Sequence, residues 1–135
     1  MLGKLFAGKR PDNLGVKQGQ LAGCPDSPNC VCSHLTQVDK VHSIDPITYN
    51  STPAAALAKL KSIVQAMPKS QIITESDNYF YAEFASQLMG YVDDVEFLVY
   101  ENPQVIHVRS ASRLGKSDLG VNRKRVEEIR AKFSQ

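Results

Sequence analysis

The stretches Asn78-Tyr79-Phe80-Tyr81-Ala82-Glu83-Phe84-Ala85-Ser86, Val92-Asp93-Asp94-Val95-Glu96-Phe97-Leu98-Val99-Tyr100-Glu101 and Gln104-Val105-Ile106-His107-Val108-Arg109-Ser110-Ala111-Ser112-Arg113 decide the fold. In each, side-chain character alternates with a period of two, as in strands with two different faces. Phe80, Ala82 and Phe84 alternate with Tyr79, Tyr81 and Glu83; Val95, Phe97 and Val99 alternate with Asp94, Glu96 and Leu98; Ile106, Val108 and Ser110 alternate with His107, Arg109 and Arg113. A connection containing Gly90 and the Asn102-Pro103 pair separate these runs, and residues 71–75, ahead of Ser76-Asp77, read as a further strand. Such short connections join antiparallel neighbours. Residues 71–113 are therefore expected to form an antiparallel sheet of three to five strands.

The apolar face of that sheet needs cover, and two helices are available. Over residues 52–67, Thr52 suits the N-cap and Pro53 the first helical position, where no amide donor is needed. Leu57, Leu60, Val64 and Met67 recur on one stripe, and Pro68 stops the helix. A second helix is expected over about residues 119–133, with Val126, Ile129 and Phe133 on its stripe. If Asn122 caps it, Arg123, Lys124 and Arg125 fill the first turn, where the dipole favours acids. A start at Ser117 or Asp118 instead places Gly120 inside the helix at up to about 1 kcal/mol. The fold class is α+β, with two main helices on one face of the sheet. Phe80, Phe84, Val95, Phe97, Val99, Ile106 and Val108 should form the core with Leu57, Leu60, Val64 and Ile129, leaving Tyr79, Glu83 and Glu96 outside it.

Residues 1–50 carry too many prolines and glycines for long elements, yet Leu14, Val16, Leu21, Val31, Leu35, Val38, Ile44, Ile47 and Tyr49 could pack on the domain. A long ordered N-terminal loop region is expected, following a tail at 1–9, with 10–135 as a single domain. At 135 residues one domain can bury a core. A 42% hydrophobic, 22% charged composition excludes disorder and collagen. No apolar run approaches the roughly 20 residues of a transmembrane segment. Sixteen basic against fourteen acidic side chains, a formal +2, argues against nucleic acid as a partner. The charge is segregated: residues 71–101 hold seven acids and no base, and residues 102–135 hold eight bases and three acids. These blocks either neutralise each other across strands or form a charged binding face.

Cys24-Pro25-Asp26-Ser27-Pro28-Asn29-Cys30-Val31-Cys32-Ser33-His34 is the densest chemistry in the chain. Its C-x5-C-x-C-x-H spacing matches no common zinc pattern, so neither a metal nor another cofactor is assigned. Two prolines could turn Cys24 towards Cys30, making that pair the disulfide candidate; inert buried thiols are the other reading. Gly115-Lys116-Ser117 resembles the end of a phosphate loop, but serine stands at position 110 where glycine is required, and the resemblance is rejected. Asn50-Ser51-Thr52 matches a glycosylation acceptor and is better explained by capping. Glu83, Asp94 and His107 are the candidate catalytic groups, with cross-strand ion pairs as the alternative fate of the carboxylates. Arg109, Arg113, Asn122 and Arg123 are the candidate ligand-binding residues. They lie where a strand end runs into a basic helix start that would suit an anion.

The blocks Arg10-Pro11-Asp12-Asn13-Leu14-Gly15-Val16, Cys24 to Val31, Val92-Asp93-Asp94-Val95-Glu96-Phe97 and Arg109 to Arg123 resemble the signatures of the family called domain of unknown function 1499, over about residues 10–130. The resemblance implies a protein of cyanobacterial, proteobacterial or plant type, plastid-like in plants, and no assigned activity. Cys32 stands where many members are expected to carry serine. The expected function is a non-catalytic binding or accessory module for a small anion or a protein partner. The alternatives are a small hydrolase using Glu83, Asp94 and His107, and a redox-responsive protein using Cys24 and Cys30. Residues 1–10 contain only a three-residue apolar run, short of the about 7–15 of a signal peptide. A cytoplasmic location is expected, or an exported or thylakoid-associated one if a leader is removed.

Overall fold

A computed structural model describes residues 7–34, 39–86, 90–115 and 119–135. The elements are β1 (Cys30–Cys32), β2 (Ile47–Thr48), α1 (Pro53–Ala66), β3 (Ser70–Glu75), β4 (Tyr79–Ala85), β5 (Val92–Val99), β6 (Val105–Ser112) and α2 (Val121–Phe133). The fold is α+β: a six-stranded antiparallel sheet ordered β1-β6-β5-β4-β3, with β2 also on the β6 edge. Six strands exceed the three to five expected because β1 and β2 come from the proline- and glycine-rich first 50 residues. Strands of three and two residues carry no readable alternation. Together they cover the outer edge of β6, pairing with 109–111 and 105–106, and Ser33 bridges between them by donating its N–H to the Val108 carbonyl.

The register places Phe80 opposite Phe97, Phe97 opposite Val108, and Val99 opposite Ile106. These residues share the main core with Leu57, Leu60 and Val64 of α1 and Val126, Ile129 and Phe133 of α2. Thr52 Oγ1 accepts the Ala55 N–H, Pro53 opens α1, and Met67 caps it ahead of Pro68. Asn122 does not cap α2, which begins at Val121 after Gly120, whose left-handed φ of 79° glycine adopts without a Cβ penalty; the expected alternative start at 117 or 118 falls outside the described residues. Residues 116–118 lie outside the described residues. The basic first turn is tolerated because two of its side chains have tertiary partners. Arg123 donates to the carbonyls of Lys40, Val41 and Ser43, and Arg125 pairs with Asp93.

The opposite sheet face is also covered. A second apolar cluster, Leu21, Tyr79, Tyr81 and Leu98 with Leu14, Ile73 and Tyr100, lies beneath the segment 10–23. Tyr79 and Glu96 are buried as a result, although the strand register is the expected one. Strand β3 serves both layers, with Ile72 packed on the main core and its neighbour Ile73 on the second cluster, and its register shifts between Ile72 and Thr74. Gly8, at a φ of 75°, passes so close to the residues following β6 that a Cβ there would lie 3.1 Å from Leu114 Cγ.

Phe97 has no exposed surface and spans the centre of the main core. Phe97→Ala is expected to cost about 3–5 kcal/mol in denaturant unfolding. Leu119→Ala, at a side chain 94% exposed, should stay within about 0.5 kcal/mol of the parent.

Candidate functional site

The sheet ladder places the sequence-derived candidates on one face in two rows, Glu83–Asp94–Ala111 and Tyr81–Glu96–Arg109–Cys32. Glu83 and Asp94 share Arg113. Its Nε lies 2.9 Å from Asp94 Oδ2, and its Nη2 lies 2.9 Å from Asp94 Oδ1 and also bonds Glu83 Oε2. Arg10 Nε donates to Glu83 at 2.7 Å, and the Tyr81 hydroxyl lies between the two carboxylates. Burial tends to raise the Glu83 pKa, but its bonds to Arg10, Tyr81 and Arg113 outweigh that and hold it below the ordinary value. Asp94 is 1% exposed and Arg113 6%, so this is a desolvated, compensated network.

Glu96 occupies the next row with no exposed surface. Its Oε2 accepts from Tyr79 Oη at 2.6 Å and from the Gly15 N–H at 2.7 Å. Arg109 Nη1 stands 3.8 Å from Oε1, which has no hydrogen-bond partner among the described residues. Burial pushes the Glu96 pKa up. Arg109 Nε donates to the Gly23 carbonyl. Arg109, Arg113 and Arg123 thus spend their guanidinium groups on the protein itself.

His107 belongs to a different cluster. Its ring stacks on His34 with centroids 3.6 Å apart, and Ser33 Oγ lies 2.8 Å from its Nδ1. Ser33 Oγ already accepts the Val108 N–H, so its hydroxyl can donate to His107. His34 Nδ1 accepts the Leu21 N–H, while Tyr100 Oη donates to Gly19 O and can accept from His34 Nε2. Burial, reinforced by His34, lowers the His107 pKa to about 4. Both rings are therefore neutral near pH 7, and no carboxylate among the described residues bonds His107.

Asn122 is fully buried and acts as a bracket. Its Oδ1 accepts from Ser110 Oγ at 2.6 Å, and its Nδ2 donates to Ser112 Oγ and the Asn29 carbonyl. Asn29 in turn donates to Gly115 O. Cys24 and Cys30 form a disulfide with Cα atoms 5.7 Å apart. Cys32 is a buried free thiol whose Sγ accepts the His34 N–H and donates to the Ala22 carbonyl, and burial raises its pKa. Among the described residues, no group of three or more His, Cys, Asp or Glu side chains could hold a metal ion.

The sheet end nearest α2 carries a cleft of about 410 Å³ that sequence reasoning missed. Tyr91, Leu114, Leu119 and Val121 line it, four of the six large hydrophobic side chains exposed among the described residues. Asp93 and Arg125 also line it, their side chains 2.7 Å apart and each 13% exposed. The available signal was a set of apolar residues in loops or at the first position of α2, off the buried stripe of that helix.

Residues 20–133 match the family described as protein of unknown function, DUF1499. The chain belongs to that family. No curated protein matches it. Within the matched range the disulfide loop, the end of β6 and the start of α2 meet in space, joined by Asn29, Ser110, Ser112 and Asn122. No helix among the described residues is long and apolar enough to cross a membrane.

Two measurements check this geometry. In denaturant without reductant, thiol titration should find one group, Cys32, and three after reduction; three before reduction would refute the disulfide. The folded pKa of His107 lies below the ordinary value near 6.5, so the unfolded chain binds the extra proton first. Stability linked to His107 is then complete above about pH 6.5 and lost as the pH falls towards about 4. His107→Gln should show a shallower loss of unfolding midpoint than the parent across that window.

Proposed function

We propose that this protein is a non-catalytic binding module whose ligand site is the cleft between the β4–β5 end, the end of β6 and the start of α2. The observation that carries the reading is the convergence of Tyr91, Leu114, Leu119 and Val121 on one concavity. Exposed apolar side chains are unremarkable when scattered, but grouped around a cavity they mark recognition surfaces. A volume of about 410 Å³ falls within the roughly 300–1,000 Å³ of small-molecule sites, where few polar groups sit among apolar walls. Asp93, Ser112 and Arg125 supply those polar groups here.

Binding is favoured over hydrolysis by the state of the candidate catalytic groups. A general acid or base needs a pKa near the working pH and access to substrate. Glu83 and Asp94 are tied to Arg113, and His107 is held neutral beneath its ordinary range. The redox reading has a narrower basis. Cys24 and Cys30 are bonded, and Cys32 ties the neighbouring Ala22 carbonyl to β1, so reduction would loosen the start of β1.

Nile red, a neutral apolar dye, tests the cleft directly. Its fluorescence should rise on binding, and Val121→Asp should weaken binding by about tenfold or more through a charge at the apolar rim. Val16→Asp, at an exposed valine outside the cleft lining, should leave binding unchanged. Equal losses in the two variants, or no binding by the parent, would overturn the assignment.

A further inference from the structure

We infer, building on that reading, that the cleft takes a small amphiphilic anion, an apolar body ending in a carboxylate or sulfonate, with the anionic end against Arg125. Arg125 is held in place from several directions. Its Nη1 donates to Ser110 Oγ at 3.2 Å and Asn122 Oδ1 at 2.9 Å, and its guanidinium lies 4.9 Å from the centroid of the Phe84 ring. Its Nη2 stands 2.7 Å from Asp93 Oδ2, while Nε donates no hydrogen bond to any described residue. Nε is thus the guanidinium donor that a ligand's acceptor oxygen can meet. Carboxylate and sulfonate oxygens match the planar donor fork, and prior fixation of the fork reduces the ordering cost of the contact.

The surrounding charge selects the sign of that acceptor. Asp93 and Arg125 cancel within the cleft, while the adjoining first turn of α2 carries Arg123 and Lys124 and no acid. Arg123 is committed to three carbonyls, but its charge and that of Lys124 still bias the local field towards anions. A cation would meet Arg125 in the cleft, and Asp93 is already paired with that guanidinium. A neutral apolar molecule would cover Arg125 without satisfying it. The rim formed by Tyr91, Leu114 and Val121 then takes the apolar body.

Octanoate and octanol share an apolar body and differ in the head group, so calorimetric titration of the full chain at pH 7 with both separates the contributions. The parent should bind octanoate about tenfold or more tightly than octanol, the scale of one charge-assisted contact. Asp93→Asn removes the competing carboxylate and should tighten octanoate several-fold while leaving octanol unchanged. Arg125→Gln should abolish the difference between the two ligands. Should that variant fail to fold, the near-isosteric Asp93→Asn still decides the matter. Equal affinity for the two ligands, with a ratio unmoved by Asp93→Asn, would overturn the anion inference while leaving an apolar cleft in place. Absence of binding by either, together with no Nile red signal, would remove the cleft as a ligand site altogether.

Discussion

Asp94 and Glu96 set the terms for everything on their side of the sheet. Two carboxylates two residues apart on a central strand are almost wholly removed from water, which is prohibitive unless each meets cations or hydrogen-bond donors. Strand β6 supplies Arg109 beside Glu96, the residue after the strand is Arg113, beside Asp94, and β4 supplies the Tyr79 and Tyr81 hydroxyls. The segment 10–23 completes the layer with the Arg10 guanidinium and the Gly15 N–H, while Leu14 and Leu21 exclude solvent. Burial of these acids and ordering of the N-terminal segment are mutually dependent. Without the cover the carboxylates would be solvated and the arginines exposed; without the carboxylates the cover would lose its polar anchors.

That dependence moves the candidate site to the end of the sheet. A face whose charges are matched and roofed has little left to offer a ligand. At the same end of the sheet the opposite face meets α2 through Arg125. There Asp93, one residue from Asp94 and therefore pointing the other way, pairs with Arg125 across a cavity. Adjacent aspartates on one strand thus serve two layers, one closed and one open.

The main sheet was legible because its strands are long and their alternation unambiguous: Phe80, Phe97 and Val108 could be assigned to the core face from pattern alone. The α1 boundaries were equally readable from Thr52, Pro53 and Pro68, since capping is local chemistry. What stayed hidden depends on partners distant in sequence. Nothing within Cys30–Cys32 or Ile47–Thr48 announces a strand, because both are held by pairing to β6 some 60–80 residues away. Asn122 reads as a helix cap until Ser110, Ser112 and Asn29 are placed around it. The polar face was read correctly as polar; its burial followed from Leu14 and Leu21, whose destination no periodicity specifies.

The family blocks take on a physical meaning in this arrangement. Asn29 belongs to the disulfide-closed loop, Ser110 and Ser112 to the end of β6, and Asn122 to the first turn of α2. Their side chains and the Asn29 carbonyl form one continuous set of bonds. A buried asparagine with Oδ1 and Nδ2 both engaged tolerates little displacement, because each lost bond leaves a desolvated polar atom. The bracket therefore holds the start of α2 against the end of β6, and both line the cleft. Ser110 and Asn122 also receive the two bonds from Arg125 Nη1. The same side chains that join the family blocks thus orient the arginine that faces the cavity, coupling the most constrained part of the structure to the part most open to a ligand.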